Sequence, residues 1–237
     1  MHSLKNRVIV VTGASDGIGK SIALRLAKEK AHLALIARDQ DKLRQVATQA
    51  GATSENVKYY PCDVRKPEAI QSTIHQIAAD FGKIDAVVNN AGIWQKLSDL
   101  ELISDKVIQD VINTNLLGTI LVTKSALPYL KAQKDETYIV NIVSKSGVTA
   151  QEGQCIYTAS KYGVKGFTDV LRLDLKDTNI HIGAVYQSGT NTDMFRKTGE
   201  NFPTESFTKP DDLADAVAYM LKCPSQMWIP ELHVNYK

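Results

Sequence analysis

The segment Arg7-Val8-Ile9-Val10-Val11-Thr12-Gly13-Ala14-Ser15-Asp16-Gly17-Ile18-Gly19 begins as a continuous β-branched run and ends as a glycine-rich turn. Such a run suits a strand buried on both faces of a parallel sheet. Ile18, Ile22 and Leu26 then recur at helical spacing, with Ala23 and Ala27 beside them. The unit therefore reads strand, glycine turn, helix. Glycine lets the chain turn sharply and lets backbone approach a phosphate, and a helix start offers free N–H groups at the positive end of its dipole. The spacing Gly-x-x-x-Gly-x-Gly differs from the Gly-x-Gly-x-x-Gly dinucleotide fingerprint. A purely structural turn and a pyrophosphate site both remain open from this segment alone.

The same alternation continues to the end of the chain. Strands are expected at 31–37, 57–61, 84–89, 138–143, 180–186 and 227–234. Between them lie helical stretches at 41–50, 67–81, 104–131, 156–176 and 209–221, with Pro67 suited to a first helical turn. Strands alternating with helices predict a Rossmann-like α/β fold: a doubly wound parallel sheet of about seven strands, helices on both faces, and ligands at the carboxyl ends of the strands. A single domain spanning 1–237 is expected, with the least regular stretch, 187–208, as a mobile lid.

Composition excludes several function classes. Lys and Arg total 28 against 26 Asp and Glu, a net charge of +2 that leaves no field for nucleic acid or an anionic membrane. Met1 to Arg7 lacks signal-peptide architecture, and no apolar run approaches the ~20 residues that span a bilayer, so a cytoplasmic protein is expected. Cys62, Cys155 and Cys223 are widely spaced and form no CxxC pair; they read as small buried apolar residues, with Cys155 bordering a pocket as the alternative. The five histidines show no metal-ligand spacing, His75 and His181 reading as ordinary helix and strand residues, so no metal is expected.

Tyr157-Thr158-Ala159-Ser160-Lys161 carries the chemistry. A phenol and an ammonium at i and i+4 lie on one helix face. A cation within about 4–6 Å favours the ionised phenol, which is expected to bring Tyr157 into range for proton transfer. With the glycine turn, with Asn89-Asn90-Ala91-Gly92 at a strand end, with Asn115 in Asn113-Thr114-Asn115-Leu116-Leu117-Gly118, and with Ser144 thirteen residues before Tyr157, the chain resembles the short-chain dehydrogenase/reductase family over nearly its whole length.

The resemblance implies ketone–alcohol interconversion with a nicotinamide cofactor. Tyr157 exchanges the proton, Ser144 hydrogen-bonds the substrate oxygen, Lys161 also holds the nicotinamide ribose, and Asn115 anchors a water that refills the proton through Lys161. The expected cofactor contacts are Gly13, Ser15, Asp16, Gly17, Ile18, Gly19, Arg38, Asp63, Val64, Asn90, Ala91, Gly92, Tyr157, Lys161, Gly189 and Thr192, with Asp63 matching the adenine-pocket aspartate. Two features depart from the family pattern: Gln187-Ser188-Gly189 stands where Pro-Gly is common, and the C-terminus lacks the Gly-Gly ending of the 3-oxoacyl carrier-protein reductases. The competing reading is a catalytically idle nucleotide-binding sensor or scaffold, which does not require the intact Ser144, Tyr157 and Lys161.

NADP(H) is favoured over NAD(H), because Ala37 rather than a carboxylate ends the second strand and Arg38 follows it. Asp39 reads as the cap of the next helix, and Asp16 opposes a phosphate. Trp94, Met194, Phe195 and Phe202 suggest an apolar pocket for a small-molecule substrate, although each also reads as ordinary packing. A homodimer or homotetramer is expected, because the 156–176 helix carries Tyr162, Phe167, Val170 and Leu171, with Val164 and Leu175 as a second stripe, beyond what one sheet covers.

Overall fold

The computed structural model describes residues 1–236. Strands form at Val8–Thr12 (β1), His32–Ala37 (β2), Val57–Pro61 (β3), Ala86–Asn89 (β4), Thr137–Ile142 (β5), Ile180–Gln187 (β6) and Glu231–Val234 (β7). Helices form at Gly17–Lys28 (α1), Gln40–Gly51 (α2), Pro67–Phe81 (α3), Asp105–Ile112 (α4), Gly118–Lys131 (α5), Cys155–Asp174 (α6) and Pro210–Lys222 (α7). The strands make one seven-stranded sheet in the order β3-β2-β1-β4-β5-β6-β7, every neighbouring pair parallel. The order reverses between β1 and β4, which opens a crevice at their carboxyl ends.

Alternation along each strand divides the core in two. Ile9 and Val11 of β1 join Leu33, Leu35, Val88, Val140 and Val185 under α1, α2 and α7. Val10 points the other way and joins Ala34, Ile36, Val87, Ile139 and Ile182 under α3, α5 and α6. Both faces of β1 are dry, which explains its unbroken β-branched sequence. A buried polar chain crosses the sheet: the Asn89 amide donates to Thr123 Oγ1 and Asn141 Oδ1, both at 2.9 Å, and Asn141 donates to Thr168 Oγ1 at 2.8 Å. It ties β4 and β5 to α5 and α6 and so fixes the relative heights of the elements that carry the site.

The 104–131 stretch is helical without a break from 105 to 131, as expected, with a π segment at Asn113–Leu117 joining α4 to α5. Three sequence expectations are corrected. The last strand covers only Glu231–Val234, because Trp228 turns into an aromatic cluster with Tyr138 and His181 and Pro230 has no N–H to donate. Cys62 and Cys223 are buried, but Cys155 opens α6 on the surface. Along α6 and its C-cap, Val164, Leu171 and Leu175 belong to this chain's own core, while Tyr162, Val170 and Leu173 face outward. Among the described residues no helix is long and apolar enough to cross a membrane, and no three His, Cys, Asp or Glu side chains are grouped to hold a metal ion.

Candidate active site

The glycine turn is shaped by backbone that no side chain fits. Gly13 has φ +65°, and a Cβ there would stand 2.9 Å from the Ala91 Cα. A Cβ on Gly19 would stand 2.2 Å from the Gly13 carbonyl oxygen. The end of β4 is pinned to this turn, since Thr12 Oγ1 accepts from the Asn90 and Ala91 amides at 3.0 Å each and Asn90 Nδ2 donates to the Thr12 and Gly13 carbonyls at 3.0 and 3.3 Å. Asp16 caps α1, its carboxylate accepting from Gly17 N at 2.7 Å.

From this turn a cavity of about 1790 Å³ runs along the carboxyl ends of the strands to α6. Gly13, Ser15, Asp16, Gly17, Ile18, Arg38, Asp63, Val64, Asn90, Ala91, Gly92, Ser144, Tyr157, Lys161, Gly189 and Thr192 all line it. Gly19 and Asn115 do not; they lie in the layer behind its wall.

Ser144, Tyr157 and Lys161 converge at the end of β5. Ser144 adopts φ 135° and ψ 156°, a backbone state that costs a non-glycine residue roughly 1–3 kcal/mol, and its Oγ accepts from Ser146 N at 3.1 Å. Tyr157 and Lys161 are both buried one turn apart on α6, and the ammonium donates to the Ile142 carbonyl at 3.0 Å and stands 5.6 Å from the phenol ring centroid. Burial pushes the Tyr157 phenol up to about 12, with Ser144 beside it acting in the opposite sense. Burial likewise lowers Lys161 to about 8. The expected lowering of the phenol by the lysine is therefore corrected: burial disfavours the charged form of each group, and the hydrogen bond with Ser144 is what opposes the rise at Tyr157.

Asn115 sits in the π turn, where the widened backbone turns its amide toward β4's extension. Its Oδ1 accepts from Ile93 N at 2.8 Å, and its Nδ2 donates to Ile93 O at 3.0 Å and to Ser160 Oγ at 3.1 Å. It thus binds the segment after Gly92 to α6, and a Cβ on Gly92 would meet Asn115 Oδ1 at 3.4 Å and Lys161 Nζ at 3.8 Å.

At the opposite end, Arg38 is exposed on the cavity rim with Lys42 nearby. Asp39 caps α2, accepting from Lys42 N at 3.1 Å. Asp16 is paired with Lys197 of the 187–208 segment at 2.6 Å, and this bond and the Gly17 amide hold its carboxyl below the usual range against the opposing effect of burial. Asp63 is gripped by Arg65, whose Nε and Nη2 donate at 3.0 and 2.7 Å, and Arg65 reaches on to Asp110 at 2.7 Å. The guanidinium holds Asp63 below the ordinary carboxylate range.

The 187–208 segment folds over the cavity. Its base is closed by a bridge between Thr190 and Thr208. Thr192 lies over the glycine turn, 3.2 Å from where a Gly17 Cβ would be. Phe195 meets the Trp94 ring edge-on at 5.1 Å, and Trp94 packs on Tyr157 at 4.5 Å. Gln95 and Lys197 escaped the sequence reading because each acts through a partner distant in the chain, whereas Lys42 lies in the first turn of α2 just beyond Arg38, a local spacing that does mark it.

The short chain dehydrogenase family model matches residues 7–202. An uncharacterized oxidoreductase of Staphylococcus aureus (strain MRSA252) is 34% identical over 99% of both chains. Among solved structures, a metagenomic short-chain oxidoreductase in complex with NADP superposes with a TM-score of 0.86 at 30% identity, covering 99% of each chain. The 3-ketoacyl-(acyl-carrier-protein) reductase of Brucella melitensis, complexed with NADH, gives 0.88 at 29% identity over 98% of each. With its glycine turn, parallel sheet and Ser144–Tyr157–Lys161 site in this setting, the chain belongs to the short-chain dehydrogenase family of oxidoreductases.

Proposed function

We propose that the protein transfers hydride between NADP(H) and an apolar ketone, aldehyde or secondary alcohol. The observation that carries this reading is the convergence of Ser144, Tyr157 and Lys161 on the same cavity as the glycine turn. Side chains at Gly13 or Gly19 would collide with neighbouring backbone, and the start of α1 directs amides to the place a pyrophosphate takes, so the cradle fits a dinucleotide. Bound nicotinamide supplies or accepts the hydride. In reduction the substrate oxygen gains negative charge as its carbon gains hydride. Tyr157, protonated at neutral pH, gives that oxygen its proton, and Ser144 Oγ donates a hydrogen bond to it. Lys161 holds the ribose hydroxyls and returns a proton to Tyr157. Asn115, its amide engaged by Ile93, anchors the relay water through the remaining lone pair of its oxygen.

The choice of NADP(H) rests on charge at the adenosine end. Arg38 and Lys42 supply two cations, Asp39 is spent on its cap, and Lys197 neutralises the one carboxylate in the turn that opposes a phosphate. Arg38 is suited to grip a 2′-phosphate through paired hydrogen bonds. The metagenomic relative binds NADP and the Brucella reductase NADH, so this rim, rather than the family, sets the preference. Asp63, whose two oxygens each accept twice from Arg65, stands with that guanidinium at the adenine end of the cavity.

Trp94, Leu97, Met194, Phe195, Phe202 and Phe207 line the substrate end, which favours an uncharged, apolar substrate. The 187–208 segment acts as the lid of a single domain. Tyr162, Val170 and Leu173 on α6, with Leu117 at the π turn, are exposed apolar side chains. They support a homodimer or homotetramer through α6 and the α4–α5 region. Three free cysteines suit a reducing, cytoplasmic setting. The test is a panel of apolar carbonyl compounds with NADPH, followed by loss of reduced-nicotinamide absorbance. Turnover of hydrophobic ketones is expected, and absence of turnover across aliphatic, alicyclic and aromatic carbonyls would overturn the reading.

A further inference from the structure

We infer that Gln95 is a positioning residue for the catalytic phenol: it performs from outside the helix the capping that α6 does not supply for itself. A helix start leaves its first N–H groups without intrahelical acceptors, and the residue before the helix usually satisfies the second or third of them with a side-chain oxygen. In α6 that residue is Gln154, and its side chain makes no such bond. Instead it accepts from Ser146 Oγ at 3.0 Å and donates to Gln151 at 2.8 Å. The third N–H of α6 belongs to Tyr157, and it donates to Gln95 Oε1 at 2.8 Å. The other end of the same amide donates to the Gly153 carbonyl at 3.3 Å. Gln95 is 1% exposed, so water does not substitute for it.

The segment that presents Gln95 is itself held on both sides. Asn115 binds Ile93 through its N–H and its carbonyl. Glu200 of the 187–208 segment accepts from Leu97 N at 2.6 Å. Between these anchors Trp94 packs on the Tyr157 ring and Gln95 on its main chain, so one short segment fixes both ends of the residue that moves the proton. A reacting geometry displaced by about 1 Å loses on the order of 10²-fold in rate. Removing the main-chain anchor should therefore affect the chemical step before it affects cofactor binding, most of whose proposed contacts lie away from this segment, at the glycine turn, Arg38 and Asp63.

The inference rests on the proposed role of Tyr157, so Tyr157→Phe is run alongside. Gln95→Met keeps length and apolar stem but has no acceptor; Gln95→Glu keeps the acceptor. For Gln95→Met, kcat for carbonyl reduction is expected to fall at least ~10-fold while the Kd for NADPH, measured by fluorescence, stays within about twofold. Gln95→Glu is expected to restore kcat to within about threefold of wild type, which a loss of bulk packing alone would not predict. Hydrogen exchange on the wild-type protein needs no variant to fold: the Tyr157 amide should be protected to the level of the Thr158 amide, which bonds Gln154 O within the helix at 2.8 Å. Wild-type turnover in Gln95→Met, no rescue by Gln95→Glu, or rapid exchange at Tyr157 would each overturn the inference. Full turnover in Tyr157→Phe would instead remove the proton-transfer reading on which it stands.

Discussion

Replacing Arg38 by Ala isolates the charge that distinguishes the two nicotinamide cofactors. Arg38 stands on the cavity rim immediately after β2, and the carboxylate next to it, Asp39, is engaged by its own helix. A hydrogen bond to a charged group is worth about 1.5–3 kcal/mol net when both partners are withdrawn from water. Arg38 is exposed, so solvent and salt screen the pair, and Lys42 remains to share the phosphate. A value just below that range is therefore appropriate, about 1.4 kcal/mol, which is a tenfold loss of affinity. Steady-state kinetics on one preparation should show the KM for NADPH raised at least ~10-fold in Arg38→Ala, with the KM for NADH nearly unchanged, because NADH has no phosphate to lose. Combining Arg38→Ala with Lys42→Ala should deepen the selective loss. Equal effects on both cofactors, or a wild-type preference for NADH, would refute the assignment.

The pH profile has a defined sign. Lys161 loses its proton near about 8 and Tyr157 only near about 12, so carbonyl reduction should be level at neutral pH and decline above about 8, while alcohol oxidation, which needs the ionised phenol, should rise through the same range. A reduction rate that climbs from neutral to alkaline pH contradicts this. Gly19→Ala places a methyl group 2.2 Å from the Gly13 carbonyl, so the turn must open; a stability loss of about 1–3 kcal/mol by denaturant titration and loss of measurable NADPH binding are expected. Unaltered binding would show that the turn does not cradle the cofactor. Light scattering at micromolar concentration should give a multiple of 26.1 kDa, and Val170→Asp should reduce it toward the monomer; a wild-type monomer ends the oligomer proposal.

Local physics made much of the architecture legible. Val8 to Val11 could be read as a doubly buried strand because every side chain in it is β-branched, and α3 begins where Pro67 suits a first helical turn. Tyr157 and Lys161 could be paired from their i, i+4 spacing on one helix face, and Ser144 could be named through the family resemblance. What escaped depends on contacts between distant segments. The π turn exists where Asn115 reaches Ile93, and no period in 104–131 announces it. The direction of the Tyr157 shift depends on how dry the wall around it is, which spacing does not report. Gln95 bonds a residue 62 positions away, and Lys197 one 181 positions away. The exposed and buried faces of α6 were confused because its apolar residues extend around the helix, and only the docked sheet shows which of them it covers.

The most direct measurement is kcat for carbonyl reduction in Tyr157→Phe beside the Kd for NADPH on the same preparation. Removal of the hydroxyl leaves the ring packed against Trp94 and takes away the proton donor alone. Turnover should fall at least ~10²-fold, the scale of a positioned acid, while the Kd stays within about threefold. Turnover close to that of the wild type would contradict the account and assign proton transfer to another group.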